Sequence, residues 1–145
     1  MILWERRSTS NAGATMSETR TTGLMKAYIF SEEGIPFEDT PWGRTKVLIG
    51  HDVDDDRRYN PRVMIKVTEN ADGPRGSHQL HSHPEQDEIL YVLEGYGENE
   101  AEDGTVQQFG PGDVLHIPAG VIHEDRSKGG PLRLLVIKLP PDIAD

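Results

Sequence analysis

The 145-residue sequence contains no cysteine and no long apolar run. Without cysteine, disulfide bonds, thiolate metal sites and cysteine nucleophiles are excluded, so any metal would bind to histidine, carboxylate or backbone oxygen. No apolar stretch approaches the roughly 18 residues that a membrane-spanning helix needs. The first residues also lack the apolar core of a secretory signal peptide. We therefore expect a cytoplasmic protein with no membrane partner.

Basic residues are scarce, with 15 Lys and Arg against 25 Asp and Glu, and the formal net charge is -10. An acidic chain repels phosphate groups, which argues against nucleic acid or an anionic membrane surface as a partner. The length suits one domain with a core of its own. The charge leaves a small molecule as the expected partner but does not select one.

Glycine and proline are frequent, at 15 and 10 residues, and they separate short apolar runs. Residues 1–23 are polar without periodicity, so we expect a disordered N-terminal tail there and one β-domain over residues 24–145. Nine short strands at this spacing are typical of a sandwich or barrel. The candidate strands are Lys26–Phe30, Thr45–Ile49, Arg62–Thr68, His78–His83, Glu88–Glu94, Val106–Phe109, Asp113–Ile117, Val121–Arg126 and Leu132–Leu139.

Two histidines, His81 and His83, are separated by one residue in the stretch HSHPEQDE. In a strand, residues i and i+2 point to the same side, so both imidazoles would share one face. Pro84 indicates a turn, after which the chain would return as the second strand of a hairpin and bring Glu88 opposite the pair. A face with two histidines and one carboxylate suits a divalent transition metal.

A further histidine follows a second turn, in GDVLHIPAGVIHED. Pro118 and Gly120 indicate a tight turn, and His123 begins the strand after it. If two hairpins packed face to face in a barrel, His123 would complete the metal set. His116 lies mid-strand in a different context, and the two remaining histidines are interpreted as structural: His51 and His78.

Together these residues resemble the cupin superfamily. Its first motif, G-x5-H-x-H-x3,4-E-x6-G, is matched from His81 to Gly95, and its second, G-x5-P-x-G-x2-H-x3-N, from Gly112 to His123. The leading glycine is displaced by one position, at Gly76, and Ser127 stands where the closing Asn is expected. The resemblance implies an all-β, single jelly-roll barrel of about nine to eleven short antiparallel strands. It also implies four metal ligands: His81, His83, Glu88 and His123.

The family includes enzymes of several kinds, so the resemblance leaves the reaction open. We expect a metal-dependent enzyme acting on a small organic molecule, with Fe(II) favoured and Mn, Ni, Co or Zn as alternatives. The association of three-His-one-Glu sites with dioxygenases favours that chemistry, while an isomerase, cyclase, lyase or non-catalytic binding module stays open. Glu88 is also a candidate acid or base. Further candidates for the pocket are Lys66, Arg62, Tyr91 and Tyr96.

Small members of the family often pair, so the resemblance implies a homodimer. The apolar segments at the two ends of the predicted barrel suit such an interface, because an edge strand left bare is a liability. Trp42, in the loop TPWGR, is a candidate for that interface or for the mouth of the barrel, with ordinary packing as the favoured alternative.

Overall fold

The computed structural model describes residues 26–73 and 79–141. This part of the chain contains nine strands and one short 3-10 turn, Glu32–Gly34, which Ser31 caps by accepting a hydrogen bond from the Glu33 amide. The strands are β1 (Glu38–Thr40), β2 (Gly43–Ile49), β3 (Met64–Asn70), β4 (Asp87–Glu94), β5 (Gly97–Ala101), β6 (Val106–Phe109), β7 (Val114–Ile117), β8 (His123–Ser127) and β9 (Leu132–Leu139).

The strands form two antiparallel sheets. The larger sheet has the order β1-β2-β3-β9-β4-β7, and the smaller has the order β6-β5-β8. The predicted all-β, antiparallel jelly-roll class is thereby confirmed, with nine strands in the described residues. From β4 onwards the chain passes repeatedly between the two sheets, for example from β7 to β8, which is how it builds a double-layered barrel.

Strict alternation of side chains directs one face of the larger sheet into the barrel. On β9 every second residue is buried, from Leu132 to Lys138, and on β4 the buried residues are Glu88, Leu90 and Val92. Phe109 of the smaller sheet packs into the same core. The buried apolar cluster is Leu90, Val92, Phe109, Ile117, Leu132, Leu134 and Val136. The candidate ligand Glu88 therefore lies on the same face of β4 as the core residues Leu90 and Val92.

Two predicted strands are not found: Lys26–Phe30, and His78–His83, whose described residues form only an isolated bridge at His81. Residues 26–30 have no regular secondary structure, although their apolar content predicts a strand. Conversely, the sequence analysis missed β1 (EDT) and β5 (GENEA). Both are polar, so no apolar alternation marks them, and they are held by backbone pairing to β2 in one case and to β6 and β8 in the other.

The predicted hairpin between the histidine pair and β4 is also wrong. His81 forms one isolated antiparallel bridge, and its partner is His123 at the start of β8. Both edges of β4 are already occupied, by β9 and by β7, so no edge is left for the histidine segment. The segment is not paired with the larger sheet in the described residues, and Pro84 lies in the turn after it.

All nine strands lie within one compact unit, Ser31–Asp145. The predicted tail, residues 1–23, and His78 fall outside the described residues, so the predicted domain division stays a prediction. Within the described ranges, no helix is long and apolar enough to cross a membrane.

Candidate metal centre

The four residues predicted as ligands are brought together from three parts of the chain. Glu88 lies on β4, His123 opens β8, and His81 and His83 lie on the segment before β4. The His81–His123 bridge consists of two backbone hydrogen bonds of 2.9 Å, one in each direction. The Gly120 amide adds a third bond of 3.0 Å to the His83 carbonyl. The two motif segments are thus tied directly to each other.

The side chains of these residues converge on one point inside the barrel. His123 Nε2 lies 3.6 Å from one Glu88 oxygen, and His83 Nε2 lies 4.0 Å from the other. The His81 ring centroid is 4.5 Å from that of His123 and 5.0 Å from that of His83. Two ligands that share an ion at about 2.1 Å each lie roughly 3.0–3.4 Å apart. The distance of 3.6 Å between Glu88 Oε1 and His123 Nε2 is within a few tenths of an ångström of that spacing.

Backbone carbonyls orient two of the imidazoles. His81 Nδ1 lies 2.8 Å from the Gln79 carbonyl, and His123 Nδ1 lies 3.1 Å from the Val121 carbonyl. A carbonyl oxygen only accepts, so each Nδ1 donates, and in the neutral imidazole the lone pair is then on Nε2. Gln79 supplies its carbonyl from a left-handed backbone conformation, with φ of 60°. This is the arrangement by which proteins orient histidine ligands towards a metal.

A second carboxyl group beside Glu88, that of Asp125, was not predicted from the sequence. It is 4% exposed, its Oδ2 lies 3.5 Å from His123 Nε2, and its Oδ1 accepts a 2.7 Å hydrogen bond from Asn99. Possible ligand atoms of Glu88, His123 and Asp125 all lie within 4.8 Å of one another. The signal was present in the sequence, because Asp125 follows His123 by two residues on one strand.

The donor set fits a divalent ion. His123 Nε2 is buried and has no hydrogen-bond partner in the structure, although two carboxylate oxygens lie just beyond hydrogen-bond range. A buried nitrogen lone pair without a partner is costly unless something binds it. Imidazole nitrogens with carboxylate oxygens are a set that Fe, Mn, Co, Ni and Zn all accept, so the geometry does not select the metal.

Electrostatics prepare Glu88 and His83 for a cation, whereas at His123 burial lowers the pKa but Glu88, Val121 and Asp125 outweigh it, so that its pKa lies above the ordinary value. Burial raises the pKa of Glu88, but His123, Lys138 and His83 outweigh it, so the pKa lies below its ordinary value and the carboxylate is ionised at neutral pH. Burial lowers the pKa of His83, which favours the neutral imidazole that a metal needs. For Asp125, burial and the nearby Glu88 charge hold the pKa above its ordinary value.

Comparisons with known proteins agree with this fold and this order of motifs. A family model described as "Cupin domain" matches residues 72–138, the span that holds all four predicted ligands and Asp125. The fold and the motif order agree with it. The described barrel thus has the cupin fold, and residues 72–138 match the cupin domain family. A comparison with curated protein sequences finds no match.

Several solved cupin-like structures resemble this one. KdgF from Halomonas sp. superposes with a TM-score of 0.67 at 20% identity, covering 81% of this chain and 97% of that one. Ectoine synthase from P. lautus gives 0.66 at 20%, covering 79% of each chain. The DMSP lyase DddQ from Ruegeria pomeroyi gives 0.60 at 22%, covering 78% of this chain and 59% of that one. At these identities the likeness establishes the cupin fold alone, and 441 matching chains leave the activity open.

The candidate centre opens into a cavity of about 250 Å³. Lys66, a sequence-predicted pocket residue, lies in its wall, and so does Trp42. Tyr91 and Tyr96 are exposed and lie outside it, and Arg62 is not among its lining residues, so those three pocket predictions are wrong. His116 is exposed on β7, away from the centre. The lining residues are Trp42, Lys66, Thr68, Asn70, His81, His83, Glu88, Leu90, Asp125, Leu134, Val136 and Lys138.

Proposed function

We propose that this protein is a metal-dependent enzyme that moves a proton on a small organic molecule, in an isomerisation, cyclisation or elimination. The observation that carries the proposal is the position of Asp125. It is a buried carboxyl group beside the predicted ligands, it lines the cavity, and it is not one of the motif residues. A carboxyl group next to a bound substrate is a suitable acid or base.

In this proposal His81, His83, Glu88 and His123 hold one divalent transition ion. The ion would act as a Lewis acid on a substrate oxygen. His81 and His123 would coordinate through Nε2, since each Nδ1 faces a carbonyl. Glu88, the acid or base candidate in the sequence analysis, would be occupied as a ligand.

The proton would then be moved by Asp125. Its Oδ1 accepts a hydrogen bond from Asn99, which holds the carboxyl plane in place and leaves Oδ2 on the side of His123. Glu88 and burial both raise the pKa of Asp125, which brings the carboxyl group closer to the range useful for proton transfer. The apolar walls of the cavity, which include Leu90 and Val136, restrict water around that transfer.

The neighbours' names are consistent with this class of reaction. One structurally similar protein is named a lyase and another a synthase, so this fold accommodates chemistry other than oxygenation. Among the described residues, no feature of the cavity adds support for the dioxygenase chemistry that the resemblance favours. Uptake of oxygen by the protein would reveal that chemistry.

Hydrogen exchange with solvent tests the proposal directly. The metal-loaded protein is incubated in D₂O with a panel of small 2-oxo acids, hydroxy acids and their amides, and deuterium incorporation is followed by NMR while an electrode records oxygen. We expect incorporation without oxygen uptake, reduced on the order of 100-fold or more in Asp125→Asn. The variant should keep its metal. Oxygen uptake by the wild type, or undiminished exchange in Asp125→Asn, would contradict the proposal.

A further inference from the structure

Two lysines face the candidate metal centre from the wall of the larger sheet. Lys66 lies on β3 and Lys138 on β9, and both line the cavity. Lys66 pairs with Val136, which is two residues before Lys138. The two lysines are therefore diagonal neighbours across adjacent strands, with backbones about 7–8 Å apart. Their ammonium groups can reach a common ligand.

Lys138 is only 4% exposed, which is unusual for a lysine. It is the cross-strand neighbour of Glu88, and its charge lowers the pKa of both Glu88 and His83. A buried ammonium group needs a nearby negative charge. Without a metal ion, Glu88 supplies that charge.

A bound divalent ion changes this balance. The ion and the two lysines would carry four positive charges, against the two negative charges of Glu88 and Asp125. Glu88 would then be shared between the ion and Lys138. The cavity would hold an excess of positive charge at low dielectric, in a chain whose net charge is -10. Such an excess favours an anionic ligand.

We propose that the substrate of this site is a small organic anion, whose charged group pairs with Lys66 and Lys138 while a neighbouring oxygen reaches the metal. The inference rests on the metal-dependent function proposed above and deepens it. The volume of about 250 Å³ is below the roughly 300–1,000 Å³ of pockets for drug-sized ligands, so the anion is small.

The other walls of the cavity have an apolar part and a polar part, and both suit a small organic anion. Leu90, Leu134 and Val136 form an apolar strip for a short carbon skeleton. Thr68 and Asn70 follow Lys66 at alternate positions on β3, so their polar groups face the same cavity. They offer hydrogen bonds to a hydroxyl or carbonyl oxygen further along the molecule.

Calorimetric binding to the full-length protein tests the inference. The metal-free protein is first titrated with Zn²⁺, and the loaded protein is then titrated with succinate and with its neutral analogue succinamide. Glycerol 3-phosphate and glycerol form a second pair, which separates a phosphate head group from a carboxylate. The variants are Lys66→Met and Lys138→Met, which keep the apolar stem and remove the charge. Lys128→Met is the control, since Lys128 lies outside this cavity.

We expect at least one of the two anions to bind the zinc-loaded protein, and its neutral analogue to bind at least tenfold more weakly. Lys66→Met should weaken the anion at least tenfold, and Lys128→Met should leave it unchanged. Lys66 is only half-buried, so its variant carries the test if Lys138→Met does not fold.

Two results would overturn the inference in different ways. If zinc binds but neither anion is preferred, or if both cavity variants bind the anion as the wild type does, the substrate class is wrong and the metal site stands. If zinc does not bind, the proposed function and the inference both fall, because the lysines then serve only as counter-ions of Glu88 and Asp125.

Discussion

Glu32 is the residue on which a buried lysine outside the cavity depends. Its carboxylate lies 3.1 Å from Lys46 Nζ, and its backbone carbonyl accepts a 2.8 Å hydrogen bond from the same group. Lys46 is 6% exposed and also lies over the Phe37 ring. Arg133 forms a charged hydrogen bond with the same carboxylate. These contacts hold the 3-10 turn against the outer face of β2 and β9.

The pH dependence of this contact has a definite sign. Burial raises the pKa of Glu32, but Lys46 and Arg133 outweigh it, so the folded-state pKa lies below the ordinary value of 4.5. The ionised carboxylate therefore stabilises the folded state above that value, and the contribution is lost as the pH falls below it.

The measurement is the urea midpoint of the metal-free protein between pH 6 and pH 3. We expect the wild type to lose more stability than Glu32→Gln over this range, since the variant has no proton to gain there. Glu38→Gln, at an exposed position on β1, is the control and should follow the wild type. Equal losses in all three proteins would contradict the assignment.

At the residue level, the histidines and Glu88 could be placed from the sequence because spacing and motif order both pointed to them. Asp125 could have been found by the same i, i+2 rule that linked His81 and His83. Lys138 could not have been found in that way. Its place in the cavity depends on the register between β9 and β4, which brings residues about 50 positions apart into contact.

Two glycines lie in turns between strands, Gly95 between β4 and β5 and Gly120 between β7 and β8, and their surroundings differ. Gly95 and Gly120 both have positive φ, of 88° and 85°. A side chain at Gly95 would collide with the Pro131 carbonyl, whereas no atom lies within 4 Å of a Cβ built at Gly120. Positive φ disfavours alanine at both positions, and only Gly95 adds a backbone clash.

We therefore expect Gly95→Ala to destabilise the protein more than Gly120→Ala does. The Gly120 variant should cost about 1–2 kcal/mol, from its left-handed conformation alone. The Gly95 variant should cost at least about 1 kcal/mol more, because the β4–β5 turn must move away from Pro131. Chemical denaturation of the two variants and the wild type measures this. Equal losses would show that the turn at Gly95 moves without cost.

At the element level, strands with apolar alternation could be predicted to within two residues at each end; β6 and β9 agree with their predicted bounds. Strand partners could not be predicted. The histidine segment and β4 are joined by a short turn and were expected to pair, but β4 is paired with β9 and β7 instead. Strand pairing is decided by packing between residues that are distant in the sequence, and turn residues carry no information about that packing.

The outer face of the larger sheet carries a row of apolar side chains that ends in exposed residues. One cross-strand row comprises Val67, Leu135, Tyr91 and Val114, in register across four strands. Tyr91 and Val114 are 42% and 61% exposed at the β7 edge of the row. Val67 is buried and Leu135 is partly buried, so the exposed apolar part of the row is Tyr91 and Val114, and an exposed apolar patch marks a candidate interface.

We expect this face to pair with a second copy of the chain, in agreement with the homodimer that the resemblance implies. Light scattering after size exclusion should give the mass of a dimer at micromolar concentration. Val114→Glu, which places a charge at the most exposed position of the row, should give a monomer. Val106→Glu, an exposed apolar position on the smaller sheet, is the control and should remain dimeric. A monomeric wild type would contradict the expectation.

At the scale of the whole molecule, fold class and the position of the centre could be predicted, because both follow from alternation and from two spaced motifs. The reaction could not be predicted. Ligand type alone accepts several metals, and the features that favour proton transfer on an anion, Asp125 with Lys66 and Lys138, meet only in the folded barrel.

The central claim is that His81, His83, Glu88 and His123 hold one metal ion. Elemental analysis of the untagged protein, purified anaerobically, tests it most directly, with the double variant His81→Ala/His83→Ala beside it. His116→Ala removes an exposed imidazole on β7 and is the matched control. We predict about one transition-metal ion per chain in the wild type and in the control, and a loss of that ion in the double variant. Metal well below one per chain after reconstitution, or metal retained by the double variant, would contradict the account.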